Sequence, residues 1–192
     1  MVKVGIIGEN PTDITCIYEL LAQKFTNEIT FFPLLQNING SYLEHQKVKH
    51  LLRKEYEYKK PNIIIFVRDL DAPRTDNIQL QKRKEYFTNF NSVVDKKGVM
   101  LLNIQELEAI LLSDVSVLNK YFNATLEFIN NCEDIPNPKD EIKRQIPAYS
   151  TGLNQDLFKL YAYENIVNNC NFFKEFNTSF IGKIETNKFN LE

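Results

Sequence analysis

The run Asn62-Ile63-Ile64-Ile65-Phe66-Val67 constrains this chain more than any other feature. A block of β-branched and aromatic residues this continuous has no polar face to offer water. It suits a strand covered on both sides, the situation of a central strand in a parallel sheet. The run stops at Arg68-Asp69-Leu70-Asp71-Ala72-Pro73, where charge and proline end it. Residues 2–7, 28–35 and 98–103 have the same strand character. The first of these ends at Gly8-Glu9-Asn10-Pro11, a turn signal.

Helical patterns separate the strands. Ile14, Ile17, Leu20, Leu21 and Phe25 recur at helical spacing, with Thr12 or Asp13 as the cap. Asn39-Gly40-Ser41 reads as a turn, with Ser41 as a cap for a charged helix whose inner face is Leu43, Val48, Leu51 and Leu52. A polar helix is expected over 75–90, another over 105–113, and 115–122 continues it. Strand and helix therefore alternate, which implies an α/β fold: a Rossmann-like open sheet, mainly parallel, with helices on both faces. Strand signals stop near Asn123. Pro136-Asn137-Pro138-Lys139 opens a helix, 154–167 gives a second, and Phe172, Phe173, Phe176 and Phe180 mark the apolar side of a last one. The division expected is an α/β domain over 1–122 and a helical extension over 123–192 packed on it.

Composition narrows the function. The chain has 192 residues and a net charge of −2, so the molecule as a whole exerts no pull on nucleic acid, and any phosphate-binding surface must be local. Cys16, Cys132 and Cys170 show neither zinc spacing nor a disulfide framework, which points to reduced structural thiols and a cytoplasmic location. The first residues read directly as a strand, and no apolar run reaches the roughly 20 residues of a membrane helix, so no membrane partner is expected.

In open α/β sheets, functional groups collect beyond the carboxyl ends of the strands. Carboxylates stand there after three of the four strands: Glu9 after the first, Asp69 and Asp71 after the third, Glu106 and Glu108 after the fourth, with Asp114 further on. An extended Asp69-Leu70-Asp71 would hold both carboxylates on one side, about 7 Å apart. Clustered carboxylates repel unless a cation neutralises them, and Mg²⁺ needs only a few hard oxygen ligands. Any one of these acids alone also fits a helix cap or a solvated turn; their joint placement is the signal.

Gly8-Glu9 after the first strand and Asp69-Leu70-Asp71 after the third resemble the Toprim domain. Gly8-Glu9-Asn10-Pro11-Thr12-Asp13 resembles the Glu-Gly-x-Thr-Glu opening of short OLD-like Toprim proteins, with Asn10 where Gly is common and Asp13 in place of a second Glu. Glu108-Ala109-Ile110-Leu111-Leu112-Ser113-Asp114 resembles their Glu-Ala-Trp-Leu-Leu-Ala-Asp segment, with Ile110 in place of Trp. Asn137-Pro138-Lys139 and Cys170-Asn171-Phe172-Phe173 resemble features of their tail.

The resemblance implies a nuclease: a phosphodiester hydrolase acting on DNA or RNA with one or two Mg²⁺ or Mn²⁺ ions. Glu9, Asp69 and Asp71 would be the main ligands, or Glu9 a general base. Glu108 is the matched acid after the fourth strand and Glu106 its rival; Asp13 and Asp114 complete the set. Arg68, Arg74 and Lys139 are candidates for the substrate phosphate. The resemblance also implies an ATPase partner, under which this chain would be a non-catalytic or partner-dependent subunit, and a context of phage defence or DNA repair. Homodimerisation stays open. A different Asp-x-Asp enzyme of phosphotransfer, such as a sugar-nucleotide transferase, is the remaining alternative. The basic stretch from His45 to Lys60, with Tyr56 and Tyr58 interleaved, reads as a backbone-tracking surface or as a solvated helix face, the latter favoured by Glu55 and Glu57. His45 and His50 are five apart, which rules out a shared metal on one helix face.

Overall fold

The computed structural model describes residues 1–36, 38, 40–127, 129 and 131–189, and, at position 41, the backbone alone. The turn expected at Asn39 and the cap expected from the Ser41 side chain lie outside the described residues. Four strands, β1 (Val2–Ile7), β2 (Ile29–Pro33), β3 (Ile63–Asp69) and β4 (Gly98–Asn103), form one parallel sheet in the order β2-β1-β3-β4. Helix α1 (Pro11–Phe25) follows β1, α2 (Gln46–Lys59) follows β2, and α3 (Asn77–Asn91) follows β3. After β4 come α4 (Ala109–Leu112), α5 (Val115–Phe122), α6 (Pro138–Gln145), α7 (Asn154–Leu160), α8 (Tyr163–Asn169) and α9 (Asn171–Phe189). The α/β reading therefore holds, and no strand follows β4 among the described residues.

Side-chain alternation on β3 explains the layers. Ile63, Ile65 and Val67 belong to a core shared with Val4 and Ile6 of β1, Ile17, Leu20 and Leu21 of α1, and Phe158, Phe173 and Phe180 of the late helices. Ile64 and Phe66 face the opposite way, into a second core with Val48, Leu52 and Tyr56 of α2 and Tyr86 and Phe90 of α3. A strand buried on both faces needs apolar residues at every position, which is what Ile63–Val67 supplies. The late helices fill the larger core. Phe180 meets Phe25 edge-on with ring centroids 5.5 Å apart, and Phe176 stacks on Phe180 at 5.5 Å.

Several local expectations differ from the structure. Asn10, not Thr12 or Asp13, caps α1: its Oδ1 accepts from the backbone N–H groups of Thr12 and Asp13 at 2.9 and 3.1 Å. Asp13 closes the capping box by accepting from Asn10 N at 3.1 Å. Pro11 favours that boundary because its fixed φ suits the first helical position. The helix expected over 105–113 is a single turn, since Gln105 takes a left-handed φ of 63° that a helix cannot contain. The helix expected over 154–167 breaks at Tyr161, whose extended backbone separates α7 from α8. There the Tyr161 hydroxyl donates to the Leu111 carbonyl at 2.6 Å, a buried anchor that a continuous helix would forgo.

Candidate functional site

The strand order reverses between β1 and β3, since β1 connects outward to β2 and β3 outward to β4. A crevice opens at such a switch point beyond the carboxyl ends of the strands. Here a cleft of about 550 Å³ lies there, lined by Asp13, Asp69, Asp71, Glu106, Glu108 and Lys139, with Asn10, Thr12, Thr151 and Asn154 at its walls.

The acids reach the cleft from three parts of the chain: the start of α1, the end of β3 and the connection from β4 to α4. Asp13 sits in the first turn of α1, where Gly8 permits a tight return from β1. A Cβ at Gly8 would stand 3.0 Å from both Asp13 Cβ and Ile14 Cγ1. Asp69 ends β3, and its odd-numbered position turns it toward α1 and away from α2. The loops after β3 and β4 then pair: Leu70 N donates to Asn103 O, Asp71 N to Gln105 O and Gln105 N to Ala72 O at 2.9, 2.9 and 3.2 Å. This lacing carries Asp71, Glu106 and Glu108 to the rim. Asp71 adopts a left-handed φ of 56°, so the extended geometry expected for Asp69-Leu70-Asp71 does not hold. Both carboxylates nonetheless line the same cleft.

Each acid is held by protein partners, and Glu108 has two, Asn154 and the Tyr149 hydroxyl. Asp69 Oδ1 accepts from Asn103 Nδ2 at 2.8 Å, and Asp71 Oδ2 from Arg83 Nη2 at 2.7 Å. Glu108 is buried and accepts from Asn154 Nδ2 at 3.0 Å. Glu106 accepts from the backbone N–H of Lys139 at 3.3 Å and faces its Nζ at 3.5 Å. That ion pair raises the Lys139 pKa, with Glu108 adding to the effect and burial opposing it. Glu9 stands behind the cleft. Its Oε1 accepts from Asp69 N at 3.2 Å and lies 3.0 Å from Arg68 Nε, an ion pair by distance whose angle falls outside hydrogen-bond range.

Remaining candidates sit elsewhere. Arg68, an even-numbered residue of β3, is buried on the α2–α3 side of the sheet and does not face the cleft. Arg74 forms a bidentate pair with Glu133 at 2.8 and 3.2 Å and reaches Glu175 at 2.8 Å, which ties the loop before α3 to α9. Asp114 caps α5 and accepts from Asn165 at 2.8 Å, in a separate surface recess. Within the basic stretch Arg53 meets Glu57 and Asp95, and Lys59 meets Glu55. Residues that no sequence motif marked are also at the site. Asn103 could have been found by the strand-end rule that found the acids. Arg83, Glu44, Asn154 and Tyr149 carry no local signal.

Crowded carboxylates in a low-dielectric cleft hold their protons. Burial pushes the Asp13 pKa up to about 6, against the hydrogen bonds from Asn10 and with help from the charges of Glu9 and Glu108. Asp69 is raised well above the ordinary carboxylate range, chiefly by desolvation and further by Asp13, Glu9 and Glu108, although Asn103 pulls the other way. It keeps some accessible area on the cleft side, yet protein surrounds the carboxylate closely enough for desolvation to dominate. A raised carboxyl pKa means the folded state binds more protons than the unfolded state, so this part of the stability is complete at low pH. It is lost as pH rises through the folded value. Asp13 alone corresponds to roughly 3 kcal/mol between its ordinary 3.8 and about 6. Melting temperatures in EDTA should show the wild type falling relative to Asp13→Asn between pH 4 and 7, and parallel curves would refute the assignment.

The donor set consists of carboxylate oxygens, the chemistry of a hard divalent cation. Among the described residues, no three His, Cys, Asp or Glu side chains stand close enough to cage one ion. That arrangement does not fit a dehydrated three-ligand site. The chemistry of these side chains leaves room for a hydrated divalent cation, which one or two of the carboxylates would hold.

No known protein family, curated protein or solved structure matches this chain.

Proposed function

We propose that this chain is a divalent-cation-dependent phosphodiester hydrolase acting on nucleic acid, of the Toprim type. The observation that carries the reading is the convergence of Asp13, Asp69, Asp71, Glu106 and Glu108 on one cleft at the sheet's switch point. Two of these acids hold protons more tightly than free carboxylates do. Uncompensated acids destabilise a fold, and a bound cation removes that burden.

In this reading Asp69 and Asp71 would hold the cation, with Asp13 and Glu108 adding negative charge to the same cleft. A bound Mg²⁺ or Mn²⁺ supplies positive charge to polarise the scissile phosphate. Lys139, at the start of α6, presents a second charge to the same cleft. Asn103 and Asn154 fix the rotamers of Asp69 and Glu108 by donating to them, the role of outer partners in ion sites. Glu9 orients the end of β3 by accepting from Asp69 N.

A second reading has one observation in its favour. The loose spacing of the acids suits a subunit whose site tightens only with a partner, such as an ATPase, or with substrate.

Calorimetry with Mg²⁺ and Mn²⁺, beside cleavage assays on labelled DNA and RNA, separates these readings. Cation binding with cation-dependent cleavage supports the hydrolase. Cation binding with no cleavage by the isolated chain supports partner dependence. No binding at millimolar cation removes both.

Among the described residues no helix is long and apolar enough to cross a bilayer.

A further inference from the structure

On the far side of β3 from the acidic cleft, two arginines are buried together. Arg68 is 3% exposed and Arg83 6%. Both donate to the same oxygen, Glu44 Oε1, at 3.1 and 3.0 Å. The Arg68 guanidinium stacks on the Tyr86 ring at 4.7 Å, and Arg83 continues to the Asp69 carbonyl and to Asp71 Oδ2.

Two carboxylates approach Arg68: Glu44 Oε1 accepts from its Nη2, and Glu9 Oε1 lies 3.0 Å from its Nε without hydrogen-bond geometry. Arg68 Nε and Nη1 are buried with no hydrogen-bond partner, and so is the Tyr86 hydroxyl. Leaving charged donors unsatisfied in the interior is costly, and two neighbouring guanidiniums repel unless anions sit between them. Glu9 and Glu44 are an incomplete answer: neither gives Arg68 Nη1 a partner, and Glu44 serves both arginines through one oxygen. Its side chain is also 38% exposed, whereas the arginines it covers are sealed. It comes from the connection between β2 and α2, outside the sheet, and can turn to solvent without disturbing a strand.

We propose that Arg68 and Arg83 form a phosphate-binding subsite adjoining the acidic cleft, and that Glu44 fills it as a displaceable internal anion. The ligand class is a phosphate group of a nucleotide or nucleic acid. Its three or four acceptor oxygens match two guanidinium forks better than one carboxylate oxygen does. The exchange is non-covalent: the Glu44 carboxylate swings to water while phosphate oxygens accept from Arg68 Nη2 and Arg83 Nη1. Because Arg83 also holds Asp71, a phosphate seated there lies next to the acids. The subsite takes its substrate class from the hydrolase reading, and its geometry is independent of that reading.

The test is calorimetry with inorganic phosphate in EDTA at fixed ionic strength, on wild type, Glu44→Gln and the double variant Glu44→Gln/Arg83→Gln. An internal competitor lowers apparent affinity by the fraction of time it occupies the site. Glu44→Gln should therefore bind phosphate about tenfold tighter than wild type or better, and phosphate should raise its melting temperature more than that of the wild type. The double variant should lose the gain. No gain in Glu44→Gln, or a gain that survives in the double variant, overturns the subsite. If Glu44→Gln does not fold, Glu44→Asp replaces it. Its carboxylate is withdrawn by one methylene and should still tighten phosphate binding several-fold; unchanged binding overturns the subsite. Since no metal or cleavage enters the test, phosphate binding without cation binding at Asp69 leaves the subsite standing and removes the hydrolase reading. Cation-dependent cleavage with no Glu44 effect does the reverse.

Discussion

Replacing Asp69 by Asn should abolish cation binding and any cleavage while making the cation-free protein more stable at neutral pH. The side chain keeps its shape, and its remaining oxygen still accepts from Asn103 Nδ2. What disappears is a desolvated charge whose pKa is raised by burial and by the neighbouring Asp13, Glu9 and Glu108. The raised value makes the wild type lose stability as pH rises, so the two proteins should melt together near pH 4 and diverge toward pH 8. Activity should fall by more than about a hundredfold, the upper end for losing only an outer partner of an ion. Calorimetric titration, cleavage assays and thermal melts in EDTA read the three effects. A variant that is both less stable and still cation-binding at pH 8 would mark Asp69 as a structural residue.

Truncating Phe180 to Ala should unfold the molecule as one unit, not release its C-terminal third. Phe180 is fully buried, meets Phe25 of α1 and stacks on Phe176 within α9. Removing a ring from such a site costs about 3–5 kcal/mol. In a chain of this length that lowers the melting temperature by roughly 10 °C. The core through which α9 docks also contains β1, β3 and α1, so the loss should appear in a single transition. Two transitions, with the earlier one confined to α9, would show that residues 123–192 fold apart from the sheet.

Alternation and periodicity made the fold legible. The unbroken apolar run of β3 announced a strand buried on both faces, and the 3.6-residue spacing of Ile14, Ile17, Leu21 and Phe25 announced α1. Helix ends were less legible. The cap at Asn10 depends on a reciprocal bond with Asp13, and the break at Tyr161 on a hydroxyl reaching Leu111, fifty residues away in sequence.

The acids of the site were visible because strand ends in a parallel sheet point to one edge, so the residues after β1, β3 and β4 had to approach one another. Which of them share a cleft was decided in three dimensions. The paired loops after β3 and β4 brought Glu106 and Glu108 to Asp69 and Asp71, and left Asp114 capping a helix elsewhere. Arg68 and Asp69 are adjacent in sequence and serve opposite faces of the sheet, because successive side chains of a strand point to opposite sides. Sequence by itself therefore determined the fold class and the edge where carboxylates gather, since both follow from local periodicity. Only the tertiary structure decided that Arg83 and Glu44 close on Arg68 and Asp71, because those contacts join α3 and the β2–α2 connection to the end of β3 through residues with no shared local pattern.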